Sequence, residues 1–136
     1  MDDLLVLDSH ALLAHFEDEP GAEEVERVLK GATKGKPYLL LSTVNWGEIY
    51  SATYKRRGLR KADEIVWIID QLPIELVPVD RDLASQAARL KGEFPVAYGD
   101  CFAAGLALLR GCGVVTGDPE FEKLAERVKI YWIKGK

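Results

Sequence analysis

Leu4-Leu5-Val6-Leu7-Asp8-Ser9 opens with a short apolar run, Leu4 to Leu7, set between acids, with Asp2 and Asp3 before it and Asp8 closing it. A strand with one wet face alternates apolar and polar residues. A continuous run of this length is expected of a strand buried on both faces, which is the usual state of a parallel sheet. Ala11, Leu12, Leu13 and Phe16 follow at the spacing of a short helix, so Asp8 stands where a strand ends and a helix begins.

The same alternation continues outward from this unit. A second helix is expected from near Pro20, with Ala22, Val25, Val28 and Leu29 inward and an acidic outer face. Tyr38 to Leu41 reads as a second buried strand. Ser42 or Thr43 can cap a helix running through Glu48 and Tyr50 to the Arg57-Gly58 stop. Further expectations are a helix from Lys61 to Leu72, a strand from Leu76 to Val79, and a helix started by Asp80. An apolar helix from Ala103 to Leu109 is opened by Asp100 and, lacking a polar face, must be buried. Val114 and Val115 form a strand ending at Asp118, Phe121 to Ala125 a short helix, and Ile130 to Ile133 a last strand. Strands alternating with helices over short loops give an α/β fold, a parallel sheet flanked by helices on both faces in three α/β/α layers.

The 136 residues, 48% hydrophobic and 29% charged, are expected to form a single domain over 1–136 without disordered or fibrous segments. At this length roughly 68% of the unfolded surface can be buried, enough for a core without disulfides or structural metal. Cys101 and Cys112, if on one helix, are about 16 Å apart along its axis and cannot be bridged. No stretch reaches the roughly 18 apolar residues of a membrane span, and Met1-Asp2-Asp3-Leu4 lacks the basic and apolar segments of a secretion signal. The expectation is a soluble, cytoplasmic protein with no membrane partner. Eighteen Lys and Arg against 22 Asp and Glu leave a net charge of −4, so binding to nucleic acid would need a local cationic device.

In parallel α/β sheets, functional groups gather where strands end and helices begin. Four acids stand at such junctions: Asp8, Glu48 in the first turns after Tyr38 to Leu41, Asp100, and Asp118. Singly, each has an ordinary reading, because Asp is a preferred cap and Glu is common in first turns. Asp80-Arg81-Asp82-Leu83 shows the same signature. Glu48 lies beyond the cap position, on a helix whose Trp46, Ile49 and Tyr50 read as partly buried. Two carboxylates about 4 Å apart repel by roughly 4 kcal/mol at an effective dielectric of 20, so a convergent set requires a cation. All-oxygen ligands suit Mg²⁺ or Mn²⁺ rather than zinc, and such an ion supports phosphodiester hydrolysis by a metal-activated water.

Four segments together resemble the PIN-domain family, at the size and arrangement of VapC toxins, over nearly the whole chain. They are Leu5-Val6-Leu7-Asp8-Ser9 with Ala11-Leu12-Leu13, Ser42-Thr43-Val44-Asn45-Trp46-Gly47-Glu48-Ile49, Tyr98-Gly99-Asp100-Cys101-Phe102-Ala103-Ala104, and Val114-Val115-Thr116-Gly117-Asp118-Pro119-Glu120-Phe121. The resemblance implies a metal-dependent endoribonuclease in which Asp8, Glu48, Asp100 and Asp118 occupy the catalytic, Mg²⁺- or Mn²⁺-binding positions. Asp80 does not match. Thr116 falls at the hydroxyl position that supports the acidic site, with Ser9 a second candidate. Gly105 and Leu106 interrupt the usual alanine-rich stretch of the buried helix. The resemblance further implies a structured RNA substrate, a homodimer, and a cognate antitoxin protein that enters the acidic groove.

Lys55, Arg56, Arg57, Arg60 and Lys61 form a basic run that either holds phosphates near the site or complements a helix carboxyl end. Val66 and Trp67, with Trp46, Tyr50 and Tyr54, are candidates for a dimer or antitoxin surface or for packing within the monomer. His10 and His15, five residues apart, miss the spacing of paired helical ligands and are given no role. The alternatives are an RNA-processing nuclease outside a toxin pair, a non-catalytic interaction module, and a phospho-accepting domain with Asp80 as nucleophile. A phosphatase of the haloacid dehalogenase type would need an Asp where His10 stands.

Overall fold

The computed structural model describes residues 3–134. β1 (Leu4–Leu7) is the central strand of a five-stranded sheet of order β3-β2-β1-β4-β5. It pairs in parallel with β2 (Tyr38–Ser42) on one side, Leu5 opposite Leu39, and with β4 (Gly113–Thr116) on the other, Val6 opposite Val114. With neighbours on both edges and helices on both faces, β1 has no wet side, which is why its sequence shows no alternation. β3 (Ile74–Val77) and β5 (Ile130–Trp132) complete the sheet, also in parallel.

The pleat divides the strand residues between two cores. Val6, Leu40 and Val114 face α5 (Arg81–Glu93) and α6 (Tyr98–Arg110), where Leu83, Leu90, Phe102 and Leu106 are buried. Leu5, Leu7, Leu39, Leu41 and Val115 face the other side. That side is covered by α1 (Ser9–Phe16), α2 (Ala22–Thr33), α3 (Thr43–Arg57) and α4 (Leu59–Gln71). The expected three-layer α/β/α arrangement is therefore present. α6 is buried from Cys101 to Ala107, and Gly105 in its middle lets α5 close in, since a Cβ there would lie 3.2 Å from the Ala87 nitrogen. Cys101 and Cys112 are not joined in a disulfide. Among the described residues no helix is long and apolar enough to cross a membrane.

Several boundaries differ from expectation. The third strand is Ile74–Val77, not Leu76 to Val79. It is an edge strand paired only with β2, and Pro78, which has no N–H, ends the ladder. α4 starts at Leu59 because Gly58, at φ 91°, lets the chain stop α3 and restart at once. α6 starts at Tyr98, placing Asp100 within its first turn rather than at its opening. The expected helix from Phe121 to Ala125 is a 3₁₀ turn, Pro119–Leu124.

The order of the strands locates the functional edge. From β1 the chain moves outward through β2 to β3, then crosses back to β4 on the opposite side of β1. The carboxyl ends of β1 and β4 flank that reversal, where helices diverge and leave a crevice.

Candidate active site

Asp8 leaves β1 at the reversal and caps α1, its Oδ1 accepting from the Ala11 N–H at 2.8 Å. Its other oxygen accepts from the Thr116 hydroxyl at 2.5 Å. Thr116, fully buried at the end of β4, in turn accepts from the Asp118 N–H at 3.0 Å. One hydroxyl thus fixes the rotamer of the first acid and the loop that carries the last. Asp118 caps the 3₁₀ turn through the Glu120 N–H.

Glu48 arrives from α3 and is held by three elements. Its Oε1 accepts from Ser9 Oγ at 3.0 Å, on α1, and from Asn45 Nδ2 at 2.9 Å, one turn earlier on α3. Its carboxylate lies flat on Gly99 of α6, where a Cβ would stand 1.9 Å from Oε2. Asn45 is buried and also donates to the Gly99 carbonyl at 3.0 Å, while Ser42 Oγ donates to its Oδ1 at 2.9 Å and caps α3.

The four acids form one electrostatic cluster. Burial pushes the Asp8 carboxyl up to about 8, the charges of Asp100 and Asp118 adding to the shift while the bonds from Thr116 and Ala11 oppose it. Burial also pushes Asp100 up to about 7, followed by the charges of Asp118, Glu48 and Glu120. Both groups resist ionisation near neutral pH because their neighbours are of like charge and water is scarce. Among the described residues no three acidic, histidine or cysteine side chains form a ready-made metal cage. The arrangement is instead an open, all-oxygen set whose mutual repulsion a divalent cation would relieve, a donor chemistry that fits Mg²⁺ or Mn²⁺ retaining water.

Asp80 also follows a strand, and its exposed carboxylate caps α5 through the Leu83 N–H at 2.9 Å. It follows β3, which β2 separates from β1, so the phospho-acceptor arrangement is not formed. The basic run is largely committed to acids: Arg57 forms a fork with Glu17, Arg56 stands near Glu17 and Glu19, and Lys61 pairs with Glu64. Lys55 and Arg56 nevertheless line a groove of about 870 Å³ that also takes in His10, Thr43, Gly47 and Glu48. Trp46 stacks on Tyr50 along α3, with centroids 5.9 Å apart, and Tyr50 meets Tyr54 edge to face at 6.5 Å. Trp46 is packed against the core, whereas Tyr54 and Trp67 are more than half exposed.

Asn45, Gly99 and Glu120 received no role from the sequence. An Asn three residues before Glu48 on a helix was the only local signal for the first; the approach of Gly99 depends on α6 and α3 meeting. Asn45→Ala would remove the side-chain donor to the Gly99 carbonyl and one of the two donors to Glu48, and is expected to cost about 1–3 kcal/mol of stability. Urea denaturation measures this, and an unchanged midpoint would dismiss the clamp.

The sequence pattern of the PIN domain matches residues 5–127. The chain is 35% identical to Ribonuclease VapC of Mycolicibacterium smegmatis, over 79% of this chain and 85% of that protein. It is 30% identical to Ribonuclease VapC30 of Mycobacterium tuberculosis, over 87% of this chain and 92% of that protein. Among solved structures, DNA-bound VapBC from Salmonella typhimurium superposes with a TM-score of 0.74 at 20% identity, covering 95% of this chain and 97% of that one. VapC20 of M. tuberculosis, described as a Sarcin-Ricin loop cleaving toxin, gives 0.70 at 18% identity, covering 91% and 95%. At these identities the superpositions establish a shared fold.

Proposed function

This chain belongs to the PIN-domain family, and from that premise we propose that it is a single-domain, divalent-metal-dependent ribonuclease, the toxin partner of a protein antitoxin. The observation that supports the reading is the electrostatic coupling of Asp8, Glu48, Asp100 and Asp118 beside the switch point, with Asp8 fixed by Thr116 and the Ala11 N–H and Glu48 by Ser9, Asn45 and Gly99. Keeping like charges together around a buried carboxyl is costly, a cost that cation-assisted catalysis would explain.

Asp8, Asp100, Asp118 and Glu48 would hold Mg²⁺ or Mn²⁺. When bound, the ion supplies Lewis acidity to a phosphodiester oxygen and lowers the pKa of the attacking water. The chain's own residues prepare that site. Thr116 and the Ala11 N–H fix both Asp8 oxygens, leaving the carboxylate little freedom to swing. Ser9, Asn45 and Gly99 hold Glu48 against α6, beside Asp100. Second-layer bonds of this kind orient ligands and are commonly worth about 10–100-fold in affinity or activity. The net charge of −4 repels RNA, so Lys55 and Arg56 along the groove from Glu48 are the local cations that would hold phosphates. The same groove would offer an antitoxin segment a route to Glu48, and the exposed Tyr54 and Trp67 offer an aromatic surface for a homodimer.

The test is cleavage of bulk transfer and ribosomal RNA by purified protein, free of its antitoxin. Cleavage is expected with Mg²⁺ or Mn²⁺, to stop with EDTA and to resume when the ion is restored. Cleavage indifferent to EDTA would remove the metal from the reaction.

A further inference from the structure

His10 is the second residue of α1 and two residues from Asp8, and its ring lines the groove that contains Glu48, Lys55 and Arg56. One edge of the ring packs on Gly117, in the loop between Thr116 and Asp118. A Cβ on Gly117 would stand 2.9 Å from His10 Cε1 and 3.2 Å from Nδ1, so the ring sits there only because residue 117 has no side chain. Nδ1 is buried and has no hydrogen-bond partner.

This decides which ring nitrogen is available as a donor. A buried N–H with no acceptor is rarer and costlier than an unfilled lone pair. The favoured tautomer therefore leaves Nδ1 bare against Gly117 and places the proton on Nε2, the nitrogen left to serve the groove. On the ribonuclease reading above, on which this rests, we propose that His10 contacts the substrate, its Nε2–H donating a hydrogen bond to an acceptor oxygen of the RNA strand in the groove beside Glu48. Such a donor adds a directional contact close to the acids, where a strand would otherwise meet mainly negative charge.

Two variants separate the donor from the ring. His10→Gln carries an amide N–H near the Nε2 position without the aromatic packing, and His10→Phe keeps a ring on Gly117 without a donor. Binding of a short fluorescein-labelled RNA of random sequence is followed by anisotropy in EDTA, so that turnover plays no part, and KM and kcat are measured separately with Mg²⁺. His10→Phe is expected to weaken binding and raise KM by about tenfold with kcat little changed, while His10→Gln stays within about threefold of the parent. Thermal melts check that both variants fold. His10→Phe equal to the parent, or His10→Gln falling as far as His10→Phe, overturns the contact while leaving the ribonuclease reading intact. A parent that neither binds nor cuts RNA removes that reading and the contact with it.

Discussion

Asp8→Asn is expected to lower RNA cleavage by at least about 100-fold while making the ion-free protein more stable at pH 8 than its parent. Asp8 is 2% exposed, and its carboxyl is pushed from 3.8 up to about 8, first by burial and then by the charges of Asp100 and Asp118. Asp100 is pushed from 3.8 to about 7. In both cases the folded value lies above the unfolded one, so the folded state binds protons more tightly. The resulting stabilisation is complete below pH 3.8 and is lost as pH rises through about 7 and about 8. The thermal midpoint in EDTA should therefore fall across that interval, and Mg²⁺ should restore it by compensating the ionised carboxylates. Asparagine keeps the bond from the Ala11 N–H and reverses the one with Thr116, its amide donating to Oγ1 where the carboxylate had accepted, and it carries no charge. Its ion-free midpoint at pH 8 should exceed that of the parent by at least about 4 °C. Calorimetry from pH 5 to about 8.5, paired with an RNA cleavage assay, reads both effects. Full cleavage by the variant would remove Asp8 from the reaction, and an unaltered pH dependence would show that its charge is not the strained one.

Gly99→Ala should leave the fold standing and still cut cleavage by about 10–100-fold, the range typical of losing support for a metal-site residue. The new Cβ would fall 1.9 Å from Glu48 Oε2 and 2.5 Å from its Cδ. The clash is with the end of a flexible side chain, so α6 need not move; the carboxylate must. Rotating away breaks its bonds from Ser9 and Asn45 and carries its charge away from Asp100. Gly92→Ala is the matched control, because Gly92 lies in α5 and a Cβ there meets nothing within 4 Å. It should cleave at the parental rate and gain about 0.5–1 kcal/mol of stability. Parental cleavage by Gly99→Ala would mean that the placement of Glu48 on α6 is immaterial to the reaction.

Much of the fold was legible because burial on both faces leaves a plain mark in sequence. Leu4 to Leu7 and the apolar residues of α6 lack polar alternation, and that pattern alone marks both as buried. Less was legible at the margins. β3 has one neighbour and a mostly exposed face, so its composition carries little of the burial signal, and its ladder stops where Pro78 lacks a donor. The basic run was seen as a block of charge. That Glu17 and Glu19 come from the end of α1 to occupy Arg56 and Arg57 is a long-range pairing that spacing along the chain cannot encode.

By itself, the sequence determined the α/β alternation and the acids at strand and helix junctions, because apolar periodicity and capping chemistry are local properties. Spacing and capping chemistry alone could not separate Asp8 from Asp80, although the family resemblance matched only Asp8. Both follow a strand, both cap a helix through an N–H three residues on, and their local geometry is nearly the same. The strand order decides between them: β1 lies beside β4 at the reversal, so Asp8 meets Thr116, Asp100 and Asp118, while β3 lies at the edge and leaves Asp80 only a cap. The clamp of Asn45, Gly99 and Ser9 on Glu48 belongs to the same category. Its members are 54 and 39 residues from their partners, and only the packing of α1 and α6 against α3 brings an amide, a bare Cα and a hydroxyl to one carboxylate.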